Sequence, residues 1–220
     1  MRNTLLLIIL CCFLTSCDSV EKQHFFGTTQ GSYYSITYFD NQNRNFGHEF
    51  DSIFKEIENT LSLWDEKSII RKVNRNDTAV VLNQIFIDNF NYAMRAAELS
   101  EGYFDPTIGP LVSAWGFHFK EGMTMTPEII DSLRQLVGYK KVKIEEGRVV
   151  KENPNMTLDF NAVAQGYTTD MIGEFLLSKD VDNFLVDVGG EIMAKGNKPN
   201  GDFWKVGIEK PAENKDDERI

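Results

Sequence analysis

The sequence predicts an α+β fold, in which helices and strands are mixed without the regular alternation of a parallel α/β protein. Apolar residues recur at helical spacing in three long segments, whereas short alternating runs bounded by turn residues indicate strands. The chain has 220 residues, enough for one domain or for two closely packed subdomains. Because 42% of the residues are apolar and 25% are charged, we expect an ordinary globular core.

The first half of the sequence predicts one strand region followed by helices. Phe25 to Phe39 alternates as a strand does, with a turn or bulge over Gly27 to Gly31 near its start. Apolar residues then recur at helical spacing between Phe46 and Leu61. The remaining expectations are a short helix over 68–73, a weak strand over 80–82, and a helix through 85–97 that ends before Gly102.

The second half predicts two helices and several short strands. Thr126-Pro127 is a typical helix start, and Gly138 is a natural stop for that helix. We expect a hairpin of 141–144 and 148–151, a short strand at Thr157-Leu158, a long helix over 162–178, and strands over 184–188, 192–194 and 204–208.

The N-terminus resembles a bacterial lipoprotein signal. Arg2 precedes an apolar run of signal-peptide length, too short for a comfortable membrane span. The run ends in Leu14-Thr15-Ser16-Cys17, which resembles a lipobox and implies cleavage before a lipidated Cys17. We therefore expect a signal peptide over 1–17, a polar tether over 18–23 and a domain over 24–220. An ordinary secreted protein or an uncleaved anchor is the alternative.

Composition excludes several classes of function. A formal net charge of −10 argues against a nucleic-acid partner, since phosphate binding needs a basic surface. All three cysteines, Cys11, Cys12 and Cys17, fall in the N-terminal segment, so the domain has no disulfide framework. Three histidines and no other cysteine argue against a zinc site.

Two patches could bind a planar or polar ligand. Trp64, at the end of the first helix, could stack on a ring or belong to the core. The run 102–110 contains two glycines and two prolines, which give a loop a defined shape. Within it, Asp105 could accept hydrogen bonds from a ligand or cap a helix beginning at Pro106.

Two further patches could receive a phosphate or a closely approaching ligand. At 158–167 a strand enters a helix, whose free N–H groups suit phosphate. There Asp159 or a carbonyl could contact a ligand or a metal, or Asn161 could simply cap the helix. Gly189-Gly190 permits close approach or a tight turn. The standard Gly-rich nucleotide loops and hydrolase motifs are absent from the sequence.

In this order, the patches resemble the ApbE family, the FAD:protein FMN transferases. The resemblance spans almost the whole chain after the signal segment. Its motifs stand at 27–34 (G-T-x-x-G), 61–64 (L-S-x-aromatic), 104–111 with 115–117 (F-D-P-T-x-G-P-L and W-G-F), 159–167 (D-x4-A-Q-G-Y), 187–191 (D-x-G-G-E) and 204–211 (W-x-V-G-I-x-x-P).

The resemblance implies an ApbE-like fold, related to the T-fold, with FAD in a groove between subdomains and Mg²⁺ on its pyrophosphate. Trp64 would stack on the flavin, where relatives often have Tyr, and Gln30 would contact FAD, where many have Met. Ala162 would offer its backbone carbonyl to the metal. The other implied FAD-binding residues are Tyr103, Phe104, Asp105, Asp159 and Gln165. The resemblance assigns no catalytic residue in this sequence.

The implied reaction is transfer of FMN to a threonine of an acceptor flavoprotein, with release of AMP, by an enzyme lipid-anchored in the cell envelope and facing the periplasm or exterior. An FAD pyrophosphatase that uses Mg²⁺ and a non-catalytic flavin-binding lipoprotein are the alternatives. In the family, further metal ligands and a histidine-containing segment lie in a C-terminal third, which would follow Ile220. Neither His118 nor Asp187 fills those roles, so we expect residues 18–220 alone to be inactive.

Overall fold

The computed structural model describes residues 20–117 and 122–207, and these form an α+β fold as predicted. The predicted signal peptide 1–17 with its lipidated Cys17, and also His118, lie outside the described residues. The helices are α1 (Gly47–Leu61), α2 (Ile69–Asn74), α3 (Gln84–Leu99), α4 (Gly109–Ala114), α5 (Pro127–Arg134) and α6 (Asn161–Ser178). The strands are β1 (Lys22–Thr29), β2 (Ser32–Phe39), β3 (Val142–Glu145), β4 (Arg148–Lys151), β5 (Asn183–Val188) and β6 (Glu191–Lys195).

Four strands form one antiparallel sheet in the order β1-β2-β5-β6, and β3 pairs with β4 in a separate hairpin. Gln30 and Gly31 have φ of 51° and 73°, and such consecutive positive values are typical of a two-residue hairpin turn. The turn divides the predicted strand 25–39 into β1 and β2. β1 begins at Lys22, so the last two residues of the predicted tether belong to the sheet.

One hydrophobic cluster, the sheet cluster, lies between this sheet and two helices. It joins β2 and β5 to the apolar faces of α1 and of the second half of α6. Phe50 packs edge-on against Tyr38 and Phe175, and such aromatic pairs add to the free energy of burial. The fully buried Phe184, Ile172 and Leu176 each stabilise the fold by about 1.5–3 kcal/mol through the hydrophobic effect.

A second cluster, the loop cluster, joins α1, α2 and α3 to the irregular segment before α6. Its buried members include Ile70, Phe86 and Phe160, and the β3–β4 hairpin contributes Val142. Ala164 of α6 belongs to it, whereas Ile172 and Leu176 belong to the sheet cluster, so α6 connects both cores. Ile53 of α1 packs against both clusters as well. Over residues 20–117 and 122–207, no helix is long and apolar enough to cross a membrane.

Helix ends follow the expected chemistry. The Oγ atoms of Ser68 and Thr126 accept hydrogen bonds from backbone N–H groups of the first turns of α2 and α5. Asn83 caps α3 in the same way. The predicted helices 46–62, 68–73, 85–97 and 162–178 and the β3–β4 hairpin are confirmed to within about two residues at their ends.

Three predicted strands were wrong. Residues 80–82 are coil: Val80 and Leu82 pack against the loop cluster, but 80–82 pair with no strand among the described residues. Thr157 makes only an isolated bridge to Ile108, because both backbone groups of Leu158 bond to a side chain instead. Between Trp204 and Gly207 the chain forms no strand, and the Trp204 indole donates to the Lys195 carbonyl at the end of β6. Ile208 lies outside the described residues.

Candidate functional site

A cavity of about 870 Å³ lies where the two hydrophobic clusters meet, a volume within the usual range for small-molecule sites. Phe54 and Tyr34 of the sheet cluster line it on one side, and Ile57, Leu61 and Ala164 of the loop cluster line it on the other. The β1–β2 turn, α1, Trp64 and the first turns of α6 complete its wall. This position matches the predicted groove between subdomains.

Gln30, a predicted FAD-binding residue, lines the cavity from the β1–β2 turn. Its Nε2 donates to Thr168 Oγ1 of α6 at 2.8 Å, so the turn is tied to the helix across the cavity edge. In the same hairpin, Gly27 of β1 pairs with Tyr34 of β2 and leaves room for its ring. A Cβ on Gly27 would lie 2.8 Å from that ring. The G-T-x-x-G element therefore shapes this wall in two ways: Gln30 contributes a polar side chain, and Gly27, which has no side chain, leaves space for Tyr34.

Trp64 lines the cavity with 56% of its side chain exposed, which excludes the alternative of a core tryptophan. The preceding turn is fixed by Ser62, whose Oγ accepts hydrogen bonds from the N–H groups of Trp64 and Asp65. Ser68 Oγ in turn donates to the Ser62 carbonyl at 2.6 Å. An indole held on a rigid turn beside a cavity can stack on a planar ligand.

The first turns of α6 reach the cavity through Asn161, Ala164 and Gln165. The positive end of the helix dipole favours an anion here, although the N–H groups of Asn161, Val163 and Ala164 already donate within the protein. Asn161 does not cap the helix. Instead, Asp159 Oδ1 accepts a hydrogen bond from the Asn161 N–H at 2.9 Å, which leaves the Asn161 side chain at the cavity wall.

The Gly189-Gly190 turn packs directly against Gln165. A Cβ on Gly189, whose φ is 62°, would lie 2.6 Å from Gln165 Nε2, so only glycine permits this contact. The turn is fixed by Asp187 Oδ1, which accepts from the Gly190 N–H at 3.0 Å. Thr169 Oγ1 of α6 also donates to the Glu191 carbonyl. The D-x-G-G-E motif thus supports the side chain that lines the cavity.

Asp105 is engaged by the protein itself. Its Oδ1 accepts from Thr107 N and Oγ1, and its Oδ2 accepts from Tyr139 N at 2.8 Å. Thr107 Oγ1 also accepts from the Gly138 N–H, so the pair closes the 103–109 loop onto residues 138–139. α4 begins at Gly109, and Asp105 therefore does not cap a helix starting at Pro106. Three of about four acceptor positions of the carboxylate are used.

The structure brings some of the predicted site residues together and keeps others apart. Gln30, Trp64 and Gln165 share the cavity wall. Asp159 lies beside the wall, because its carboxylate accepts a hydrogen bond from the N–H of cavity-lining Asn161. The Asp159 N–H donates to the Pro106 carbonyl at 2.8 Å, which joins the two loops. The remaining predicted residues lie outside the wall. Tyr103 is almost fully exposed, Phe104 and Asp105 are half-buried, and Ala162 is exposed on the first turn of α6.

Sequence reasoning missed the polar wall contributed by α1. The cavity is lined by Asp51, Lys55 and Glu58. Their spacing in the sequence is typical of the solvent-facing side of an amphipathic helix, so it gave no sign of a cavity. Lys55 Nζ lies 3.2 Å from Glu58 Oε2. Burial, and to a smaller extent the Asp51 charge, raises the pKa of Tyr34, so this lining phenol stays neutral at physiological pH.

A known protein family covers most of this chain. The model of the ApbE family matches residues 30–220. The chain belongs to the ApbE family.

Relatives of this ApbE-family chain cover most of its length. It is 28% identical over 221 residues to the FAD:protein FMN transferase of Vibrio cholerae serotype O1, covering 96% of this chain and 66% of the relative. That of Haemophilus influenzae is 29% identical over 84% of this chain. The chain therefore spans just under two thirds of the Vibrio relative's length, and 58% of the Haemophilus one.

Solved structures show the same fold. The flavin transferase ApbE of Vibrio cholerae superposes with a TM-score of 0.81 at 28% identity, covering 88% of this chain and 65% of that structure. The Pseudomonas stutzeri flavinyl transferase ApbE in its apo form gives a TM-score of 0.79 at 27% identity, covering 86% and 63%. The predicted ApbE-like α+β fold is confirmed.

Proposed function

We propose that this protein transfers FMN from FAD to an acceptor protein, and that the cavity between α1, the β1–β2 turn and α6 binds the FAD. The observation that carries the proposal is the cavity wall itself. It combines an exposed indole, polar amides and a helix N-terminus around about 870 Å³. The relatives named FAD:protein FMN transferase support the same chemistry.

Each part of the wall suits a different part of FAD. The Trp64 indole offers a face on which the flavin ring can stack, as aromatic rings do with flat heterocycles. The N-terminus of α6, with Asn161 and Gln165, suits the pyrophosphate. Gln30 at the far turn has an amide carbonyl and one remaining N–H for a polar edge of the ligand.

The group transfer breaks one phosphorus–oxygen bond and forms another. The Oγ of an acceptor threonine attacks the FMN phosphorus, the bond from that phosphorus to the bridging oxygen breaks, and AMP leaves. The hydroxyl proton passes to solvent. The product holds FMN through a phosphoester bond. Positioning and charge stabilisation dominate such reactions, so the rigid cavity wall is the chain's main contribution.

Magnesium would arrive with the substrate. Among the lining residues, Asp51 and Glu58 are acidic and Lys55 alone is basic, so the wall does not neutralise a pyrophosphate. Within 20–117 and 122–207, no three His, Cys, Asp or Glu residues form a metal-binding group. Mg²⁺ usually keeps several waters and binds through one or two carboxylates plus substrate phosphates, so few protein ligands are needed. The Ala162 carbonyl, one residue along the chain from cavity-lining Asn161, would be one oxygen ligand, and the ion would neutralise charge on the pyrophosphate.

Attachment to the membrane is part of the proposal. The lipobox-like Leu14-Thr15-Ser16-Cys17 supports a lipid anchor on Cys17, with the domain held in the cell envelope on the periplasmic or outer side. Only four residues, 18–21, separate Cys17 from β1, so the anchor would hold the domain and its cavity near the membrane. Metabolic labelling with a fatty acid should mark the wild-type protein and leave Cys17→Ser unmarked.

A gel assay tests the transfer. The full-length gene product, with any residues that the gene encodes after Ile220, is produced from Asp18 onward so that it lacks the signal segment. It is mixed with FAD, Mg²⁺ and an acceptor domain carrying a threonine target. A fluorescent acceptor band in a denaturing gel that needs Mg²⁺ is the expected result. Free FMN and AMP without a band would instead establish a pyrophosphatase. Bound FAD without turnover would leave a flavin-binding protein.

A further inference from the structure

The strand-to-helix corner before α6 is held by a side chain from another element. The Asn74 amide, at the end of α2, bonds both backbone groups of Leu158. Its Nδ2 donates to the Leu158 carbonyl at 2.8 Å, and its Oδ1 accepts from the Leu158 N–H at 2.7 Å. This pairing replaces the ladder that a neighbouring strand would supply. Leu158 is 1% exposed, so neither backbone group can turn to water.

Lys151 reinforces the same contact from β4. Its half-buried Nζ donates to the carbonyls of Val73 and Asn74 at 3.2 Å and of Met156 at 3.0 Å. The ammonium therefore joins the end of α2 to the residues just before Leu158. Burial lowers the pKa of Lys151 to about 8, which shows that placing a charge here costs free energy that the three carbonyl bonds must offset.

The corner beyond Leu158 leads directly to the cavity. Asp159 follows Leu158, its carboxylate accepts from the Asn161 N–H, and Asn161 lines the cavity. The Asp159 N–H also bonds the Pro106 carbonyl, so the 103–109 loop moves with the corner. A shift of Leu158 would therefore displace Asp159, the first turn of α6 and this loop together.

We propose that Asn74, supported by Lys151, is a positioning residue that sets the affinity for the flavin nucleotide by fixing Leu158 and thereby the Asp159–Asn161 corner. This inference rests on the proposed FAD-binding function. Asn74 does not line the cavity, so it acts through the backbone and not by touching the ligand. Displacements far smaller than a side chain are enough to weaken a preorganised site.

The test compares two asparagines, Asn74 at the end of α2 and Asn76 two residues beyond it. Asn74→Ala removes both bonds to Leu158. The control, Asn76→Gly, removes an amide that donates to the Pro154 carbonyl at 2.9 Å, and glycine accepts the φ of 62° at that position. FAD affinity is measured by titration in the presence of Mg²⁺, and backbone amide exchange of residues 156–164 is measured without ligand. Both are recorded at a temperature at which every variant is folded.

We expect Asn74→Ala to raise the FAD dissociation constant about tenfold, with faster exchange confined to 156–164, and Asn76→Gly to change it less than about twofold. Asn74→Asp keeps the acceptor for the Leu158 N–H, so its affinity should fall between wild type and Asn74→Ala. If Asn74→Ala does not fold, Lys151→Met provides the second test, with the same expected loss of affinity and the same local exchange.

The outcomes separate this inference from the proposed function. If wild type binds FAD and Asn74→Ala or Lys151→Met binds it equally well, the positioning role is overturned and the proposed function stands. Equal losses in Asn74→Ala and Asn76→Gly would also overturn it, because the effect would then be a general loosening of α2. If wild type itself does not bind FAD, the proposed function fails first and this inference fails with it.

Discussion

The sheet region and the loop region of this molecule are held together by different forces. Strands β1, β2, β5 and β6 are joined by antiparallel ladders over an aromatic core. The segments 103–109 and 156–161 have almost no ladder and are fixed by side chains that bond backbone groups, above all those of Asn74, Lys151 and Asp105. The cavity lies between the two regions.

The two regions contribute differently: the sheet region mainly provides stability, and the loop region fixes the backbone position beside the cavity. Apolar burial in the sheet cluster is non-directional, so it provides free energy of folding without requiring exact side-chain placement. The polar contacts of the loop region each contribute little net free energy, but they fix the backbone next to the cavity. We therefore expect substitutions in the sheet region to change stability and those in the loop region to change ligand affinity more than their effect on stability implies.

The largest expected effect is in the sheet cluster. Phe184→Ala should lower the free energy of unfolding by about 3–5 kcal/mol, because the ring is fully buried and leaves a cavity. Phe203→Ala is the matched control, since that side chain is 75% exposed and should change stability little. Urea denaturation measures both. Equal effects of the two substitutions would contradict the assignment of the core.

The next effect concerns the Asp40–Arg44 ion pair that closes β2 onto the end of α6. Arg44 bonds both oxygens of buried Asp40 and the Lys179 carbonyl, and its guanidinium holds the pKa of Asp40 at about 2. Because this pKa is depressed, the stabilisation is complete above the ordinary value of 3.8 and is lost as pH falls towards 2.

Asp40→Asn should therefore cost about 2 kcal/mol at pH 7 and flatten the acid limb of the stability curve between about pH 4 and pH 2. Urea denaturation across that range measures the change. Asp182→Asn, which breaks an exposed ion pair with Lys195, serves as the control and should change little. An unaltered acid limb in Asp40→Asn would show that this ion pair does not tie β2 to α6.

A smaller loss of stability is expected at Asp105, where two variants distinguish a purely structural role from direct contact with the ligand. Asp105→Asn should cost about 1–2 kcal/mol of stability, since one N–H group loses its acceptor. Thr107→Val removes the hydroxyl that donates to Asp105 and accepts from Gly138, but leaves the carboxylate. If Asp105 only holds the loop, the two variants should lose FAD affinity equally. A much larger loss in Asp105→Asn would show that the carboxylate contacts the ligand directly.

The smallest change in stability is expected at Trp64, where affinity alone should respond. Trp64→Ala should weaken FAD binding about tenfold by removing a stacking partner, with the melting temperature unchanged. Trp115→Ala is the control, because this side chain is also 56% exposed but does not line the cavity. Fluorescence titration with FAD measures both. Equal affinities of the two variants would place the flavin elsewhere.

The sequence predicted the elements whose signals are periodic and missed those that depend on contacts. Helical spacing predicted α1, α3 and α6, and glycine-marked turns predicted the β3–β4 and β5–β6 hairpins. The strand expected at Thr157-Leu158 failed because the Asn74 side chain, 84 residues away, takes both backbone groups of Leu158.

The candidate site divides in the same way. Gln30, Trp64 and Gln165 were predicted through the resemblance to the family, and the cavity brings them together. The contributions of Asp51, Lys55 and Glu58 could not be predicted, because a polar helix face looks the same whether it borders a cavity or solvent. Which polar face borders a cavity is decided by the packing of α1 against α6 and the β1–β2 turn.

Ligand-dependent amide exchange tests the central claim most directly. The protein is compared with and without saturating FAD and Mg²⁺. We expect protection over 28–34, 51–64 and 161–168, which form the cavity wall, and little change over 142–151 in the β3–β4 hairpin. Protection of the hairpin with an unchanged cavity wall, or no protection at all, would contradict the assignment of this cavity as the FAD site.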